Sequence, residues 1–272
     1  MPLLLISSPK GGVGKTTLSS NLAVAFSGLG WRVVLIDFDV QNSARLNFGM
    51  NYRDGYGYAA QARETEDWST LLLRAKYNVS LLPYGVVTPD EREAFEQALK
   101  SDPTFLSKRL GSLLNLPDCL IIADTAPGPS PGFEALAPLA QARATILLAD
   151  GASASLLPQV EAEAIALEKS GTCRAGVILN QVDERRRLGR DVAAFVQSRL
   201  GDLLLGKIHD DEAFAEAFAS QRSVFDHAPD SAGAIDLIAV AQKIDAMLRP
   251  VRRDMRSPPP RFGTPPRFGT GQ

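Results

Sequence analysis

The sequence is poor in the residues that usually carry chemistry. It has two histidines and two cysteines in 272 residues. His209 and His227 are too few and too far apart to argue for a metal. Cys119 and Cys173 match no metal-ligand spacing. Cys119 lies in an apolar run, which predicts a buried, reduced thiol and a cytosolic protein. No grouping of Ser, His and Asp suggests a nucleophilic triad. Charge of one sign is also missing: 29 basic against 31 acidic residues leave a net charge of −2. Attraction to nucleic acid or anionic lipid would therefore have to be local. No stretch approaches the roughly 20 apolar residues of a membrane span. The short N-terminal apolar run has no charged region before it and enters a glycine loop, so a signal peptide is not expected.

What is present is the composition of a globular chain, 45% apolar and 22% charged. Short apolar runs alternate with longer helical patterns. "LLLIS" (3–7), "RVVLID" (32–37), "VSLLPY" (79–84), "CLIIAD" (119–124), "TILLAD" (145–150), "AGVILN" (175–180) and "LLLGKI" (203–208) read as strands. They are continuous rather than alternating, as strands buried on both faces of a parallel sheet must be. Between them, "TTLSSNLAVAFSGLG", "PQVEAEAIALEKSG" and "GRDVAAFVQSRLG" have helical periodicity and end in Gly, a common C-terminal cap. This repetition predicts an α/β fold, a doubly wound, mostly parallel sheet in one domain over 1–248. Residues 249–272 differ. They are rich in Pro, Arg and Gly and contain "PPRFGT" twice, at 259–264 and 265–270. Such a segment is expected to be disordered or extended, and reads either as a solvated tail or as a docking peptide.

"KGGVGKTT" (10–17) follows the first strand and opens a helix, the context a phosphate loop requires. Gly11, Gly12 and Gly14 let the backbone turn tightly and aim N–H groups, including that of Val13, at phosphate oxygens. The helix beginning near Lys15, with Thr16 and Thr17 in its first turn, adds its positive end. Lys15 would reach the β- and γ-phosphates of ATP, and the Thr16 hydroxyl would coordinate Mg²⁺. The usual first glycine of the loop is replaced by Pro9, and Lys10 follows it.

With that substitution the motif resembles the deviant Walker A box of the MinD/ParA ATPases, K-G-G-x-G-K-[ST]-T. The resemblance implies a P-loop NTPase of the SIMIBI/MinD-like type. It also implies that Lys10 crosses a dimer interface to the nucleotide of a second subunit, so that hydrolysis depends on an ATP-bound homodimer. "VVLIDFDVQNS" (33–43) ends a strand with Asp37 and Asp39, two apart and so able to face the same way. It looks like the family's first switch, D-x-D-x-Q, with Gln41 included. That likeness implies that Asp39 positions the attacking water and Asp37 supports Mg²⁺. "CLIIADTAPGPS" (119–130) looks like a Walker B strand ending in Asp124, which orders Mg²⁺, followed by a second switch. "TILLAD" ends similarly in Asp150 but lacks that follow-on, so Asp150 reads as structural. Asn180 closes another strand, where an amide can bond the edge of a purine. Family members place an Asn there against adenine. The segment 207–242 resembles the family's adenine-side segment, with His209 where proline is usual, and no further base contact is assigned from it.

Arg185, Arg186, Arg187 and Arg190 form a local basic cluster without aromatic interleaving. A solvated loop is favoured over a nucleic-acid or lipid patch. The last helix, "GAIDLIAVAQKIDAML", is not strongly basic, which disfavours direct membrane insertion. Between the first switch and the Walker B strand, "N-x-x-R-L-x-F" (42–48), Gly57-Tyr58-Ala59, Asp67-Trp68 and "LLPYG" (81–85) resemble the bacterial cellulose-biosynthesis ATPases of the BcsQ (YhjQ) type. The implied role is a nucleotide-switched dimer supporting assembly or localisation of the inner-membrane cellulose synthase complex through protein partners. Its place would be the cytoplasm, the inner-membrane periphery or a cell pole. A DNA- or cargo-partitioning ATPase and a non-hydrolysing scaffold are the alternatives.

Overall fold

The computed structural model describes residues 2–51 and 53–252. Eight strands form one sheet: β1 (Leu3–Ser7), β2 (Arg32–Phe38), β3 (Leu73–Arg74), β4 (Val79–Leu82), β5 (Cys119–Thr125), β6 (Ala142–Leu148), β7 (Arg174–Val182) and β8 (Leu204–His209). Their order is β3-β4-β2-β5-β1-β6-β7-β8. Every pairing is parallel except that of the two-residue edge strand β3 with β4. The α-helices are α1 (Lys15–Gly28), α2 (Pro89–Ser101), α3 (Phe105–Arg109), α4 (Gly111–Leu114), α5 (Pro131–Leu136), α6 (Gly151–Ser170), α7 (Arg187–Leu200), α8 (Ala213–Ala219), α9 (Val224–His227) and α10 (Ala232–Arg252). This is the doubly wound α/β sheet that the alternating runs predict.

The continuous apolar strands serve two cores at once. Leu4, Ile6, Val33 and Leu35 pack on the face covered by α1 and α10, while Leu3, Leu5, Val34 and Ile36 pack on the face covered by the segment 58–140. Adjacent strand residues point to opposite faces, so a strand covered on both sides has no polar position to spare. The third core lies between β7 and helices α6 and α7, around Leu157, Leu179 and Val196.

Several strand ends shift by one to three residues, the edge strand β3 is not among the seven strands the apolar runs predict, and two helix ends shift further. Helix α6 starts at Gly151 rather than near Pro158, which lies inside it. Asp150 caps the helix by accepting from the Ser153 amide at 2.7 Å, and proline at an interior position removes one donor without ending a helix anchored on both sides. Helix α10 runs on to Arg252, past the expected domain end at Leu248. The "PPRFGT" repeats lie outside the described residues.

The segment between the first switch and β5 is knotted around aromatics. Tyr58 stacks on Trp68 at 4.5 Å between ring centres, and Phe95 meets Tyr58 edge-on at 5.7 Å. Tyr58 can enter only because Gly57 meets the backbone of Gly85, where a Cβ would lie 2.2 Å from the Gly85 nitrogen. The Gly-Tyr-Ala and Leu-Leu-Pro-Tyr-Gly elements of the sequence are thus the two halves of one contact. Tyr58 Oη donates to the carbonyl of Asp37 at 3.1 Å, fastening this cluster to the end of β2.

Candidate functional site

The loop after β1 lies where the winding of the sheet reverses, with β5 on one side of β1 and β6 on the other. That is the crevice where open α/β sheets bind ligands. Gly12 and Gly14 have φ of +73° and +85°, conformations that a side chain resists. Gly14 is needed for a second reason, because a Cβ there would lie 2.8 Å from the Asn180 amide nitrogen. Gly11 and Gly12 are exposed and Val13 is fully buried, so the loop hangs from one apolar anchor with its N–H groups open. No side chain caps α1, and none of its first residues is acidic, so its amino end remains available to an anion.

The two lysines of this loop occupy opposite environments. Lys15 is 7% exposed. Burial lowers its pKa, while the carboxylates of Asp124 and Asp39 oppose that shift. Lys10 turns outward instead, and its Nζ reaches Asp150 Oδ2 at 2.8 Å and Oδ1 at 3.1 Å. Burial alone would raise the Asp150 carboxyl, but bonds from Lys10 and from Ser153 hold it below its usual range. The sequence reading assigned Asp150 no part here. The register shows why it has one: β6 pairs with β1, which brings its end beside the loop.

Asp37 and Asp124 stand opposite each other across β2 and β5, and both are fully buried. Asp37 Oδ1 accepts from the Asp39 amide and Oδ2 from the Ala44 amide, each at 3.0 Å. Both of its oxygens therefore shape the switch turn. Asp39 lies beyond the strand end and accepts from the Gln41 amide at 3.0 Å. Burial and the neighbouring Asp124 push Asp37 well above the carboxylate range, against two backbone bonds. Burial likewise lifts Asp124 to about 6, although Thr16, Lys15 and Ser19 all favour its charged form. Ser19 Oγ donates to Asp124 Oδ1 at 3.0 Å, a contact the motifs did not announce. The other oxygen, Oδ2, is buried with no hydrogen-bond partner among the described residues.

That orphaned oxygen, beside Thr16 and at the foot of an anion cradle, fits a hard cation. Mg²⁺ is commonly held by one or two protein oxygens plus phosphates and water. Among the described residues there is no cluster of three or more His, Cys, Asp or Glu that would hold a metal unaided.

On the far side of the loop, Asn180 is 5% exposed, and its Nδ2 donates to the Val13 carbonyl at 2.8 Å. Its amide thus braces the phosphate loop. The basic cluster is tied to nearby acids: Arg185 and Arg186 both reach Asp183, at 2.9 and 3.2 Å, and Arg187 reaches Asp191 at 3.5 Å. Among the described residues no helix is long and apolar enough to cross a membrane.

Comparison with known proteins agrees with this geometry. The family model described as "Cellulose biosynthesis protein BcsQ" matches residues 1–244. The BcsQ protein of Salmonella typhimurium is 27% identical over 249 residues, covering 89% of this chain and 93% of its own. The chromosome-partitioning ATPase Soj of Thermus thermophilus is 28% identical over 263 residues, covering 90% and 96%. Among solved structures, the cell division ATPase MinD of Pyrococcus furiosus superposes with a TM-score of 0.71 at 24% identity, covering 90% of this chain and 99% of its own. The ATP complex of a Cyanothece McdA variant gives 0.72 at 19%, covering 92% and 96%.

Proposed function

The chain belongs to the BcsQ family of cellulose biosynthesis proteins, of the MinD/ParA ATPase type, and from that premise we propose that it is an ATP-dependent dimerising switch. The observation that carries the reading is the division of labour between its two loop lysines. Lys15 is buried against Asp124 and serves its own nucleotide. Lys10 stands at the surface beside that site, held by an ion pair and available to a second subunit.

In this reading the N–H groups of residues 11–16 cradle the β-phosphate, and Lys15 neutralises the β- and γ-oxygens. Thr16 and Asp124 would hold Mg²⁺, which would screen the negative charge of the triphosphate, and Asp37 would support that shell by fixing the switch turn. Asp39 orients a water against the γ-phosphorus. The water oxygen bonds to that phosphorus as the phosphorus–bridging oxygen bond breaks, giving ADP and inorganic phosphate, and the water's proton passes to the phosphate product or to solvent. Lys10 of a second copy neutralises charge on the transferring group. Asn180 holds the loop and, as its likeness to the family's adenine-side Asn implies, would meet the base once a nucleotide is seated. Phosphoryl transfer needs positioning and charge more than a strong base, which suits the sparse chemistry here.

The test is direct. With ATP and Mg²⁺ the purified protein forms dimers and releases phosphate. Lys10→Ala keeps nucleotide binding but loses dimer-dependent turnover, whereas Lys15→Ala loses binding. A Lys10→Ala protein with unchanged turnover refutes the trans role. The BcsQ relatives support a cargo in cellulose synthesis, and an Asp39→Ala protein, stalled with ATP, should capture components of that machinery. The match to Soj supports a second reading, partitioning of DNA. A mobility shift that requires ATP and weakens steeply with salt would favour it.

A further inference from the structure

A groove beside the nucleotide loop takes no part in the steps above. It comprises two cavities of about 520 and 260 Å³ that share Val40, Arg92 and Glu96. One side is the first switch. The other is α2 with the loop before it, and the far end is the second switch at 126–132. Its floor includes the rings of Phe38, Tyr84 and Phe95. On its rim Val86 is 65% exposed.

Two polar groups along it are unsatisfied. The Tyr84 hydroxyl is buried with no hydrogen-bond partner among the described residues, and so are both amide atoms of Asn42. Burial pushes the Tyr84 phenol up to about 12, so it keeps its proton and remains a donor at neutral pH. Aromatic floors with such donors are what proline-rich segments dock on, because these segments offer carbonyl acceptors, have few N–H groups and bury flat rings. The charge along α2 also selects an occupant. The helix has four carboxylates, Asp90, Glu91, Glu93 and Glu96, against Arg92 and Lys100.

We propose that this groove is the docking site of the second repeat at the chain's own residues 265–270, "PPRFGT". Each repeat supplies two prolines, an arginine and a phenylalanine. Arg267 matches Glu93, since Glu96 already accepts from Arg92 Nε at 2.7 Å, and the prolines and phenylalanine match the ring floor and Val86. The span is within reach. Helix α10 passes the amino end of β2, where Asp245 accepts from Trp31 Nε1 at 2.9 Å. The last seven residues of α10 carry the chain about 10 Å further on, and the groove lies at the carboxyl end of the same strand, about 23 Å away for seven residues. From Arg252, the 16 residues to Phe268 cover about 50 Å when extended. A segment seated there would touch both switch loops at once. The proposal does not depend on nucleotide, and its test is run without any.

In the full-length protein, Phe268 is replaced by a photo-cross-linking phenylalanine analogue. The protein is irradiated as a mixture of isotopically light and heavy chains, and the cross-links are mapped by mass spectrometry. Cross-links within one chain to residues 84–99 or 126–132 are expected. Glu93→Arg, on the surface, should lower their yield at least about three-fold. Adding Arg267→Glu should restore at least half of it. The proposal is overturned if cross-links fall elsewhere, form only between light and heavy chains, do not rise above background, or keep the same yield in the charge-reversed protein.

Discussion

Lys10 Nζ lies 2.8 Å from Oδ2 of Asp150, the same carboxylate that caps α6 through the Ser153 amide. The pair joins the phosphate loop to the helix after β6. Its side chains are 27% and 42% exposed, so it is worth at most about 1 kcal/mol. A contact that weak holds the lysine in place without locking it there.

The first prediction separates the two jobs of Asp150. Asn caps a helix about as well as Asp but carries no charge. Asp150→Asn should leave thermal stability within about 0.5 kcal/mol and free Lys10. Sedimentation with ATP and Mg²⁺ should then show dimers at up to about five-fold lower protein concentration. Asp150→Ala should show the same release with an added loss of about 1 kcal/mol from the missing cap.

A second prediction concerns pH. The Asp124 carboxyl is raised from 3.8 to about 6, mainly by burial, and Asp37 moves the same way. Between those values the folded state binds more protons than the unfolded state, so the contribution of Asp124 to stability falls as pH rises from about 4 to about 6, then stays level. Two pKa units correspond to at most about 3 kcal/mol. Urea unfolding of wild type and Asp124→Asn at pH 4 and pH 7 should show the variant gaining on wild type at the higher pH. Affinity for Mg²⁺ with nucleotide should rise across the same window in wild type alone.

Gly14→Ala should fail twice over. It puts a side chain at φ +85° and drives a Cβ to 2.8 Å from Asn180 Nδ2. The expected loss is about 1–3 kcal/mol of stability, with nucleotide affinity down at least about ten-fold. Adding Asn180→Ala removes the collision but not the backbone strain, so calorimetry should show partial recovery of stability.

Tyr58→Phe removes the hydroxyl that bonds the Asp37 carbonyl. Leaving a buried carbonyl unpaired should cost about 1–3 kcal/mol. Faster amide hydrogen exchange at residues 37–44 would locate the effect in the switch turn.

Much of this was readable along the chain. Seven of the eight strands came from largely apolar runs, because a strand buried on both faces leaves few places for polar side chains; the two-residue edge strand β3 has no such run. The phosphate loop came from glycines whose φ values only glycine accepts readily. Other features depended on distance in space. Asp150 looked like a strand end because its partner is 140 residues away. Ser19 looked like one more polar residue of a helix until β5 brought Asp124 against it. Asp37 and Asp39 looked equivalent from their spacing, yet the strand ends between them, burying one and leaving the other half-buried.

Order and periodicity along the chain were enough to specify a parallel α/β sheet, a loop built for phosphate and acids at neighbouring strand ends, since backbone conformation and burial act residue by residue. Which carboxylate is spent on the backbone, which keeps an oxygen for a cation, and which lysine faces outward were decided by packing, because a charge takes its partner from whatever the fold places within about 3 Å.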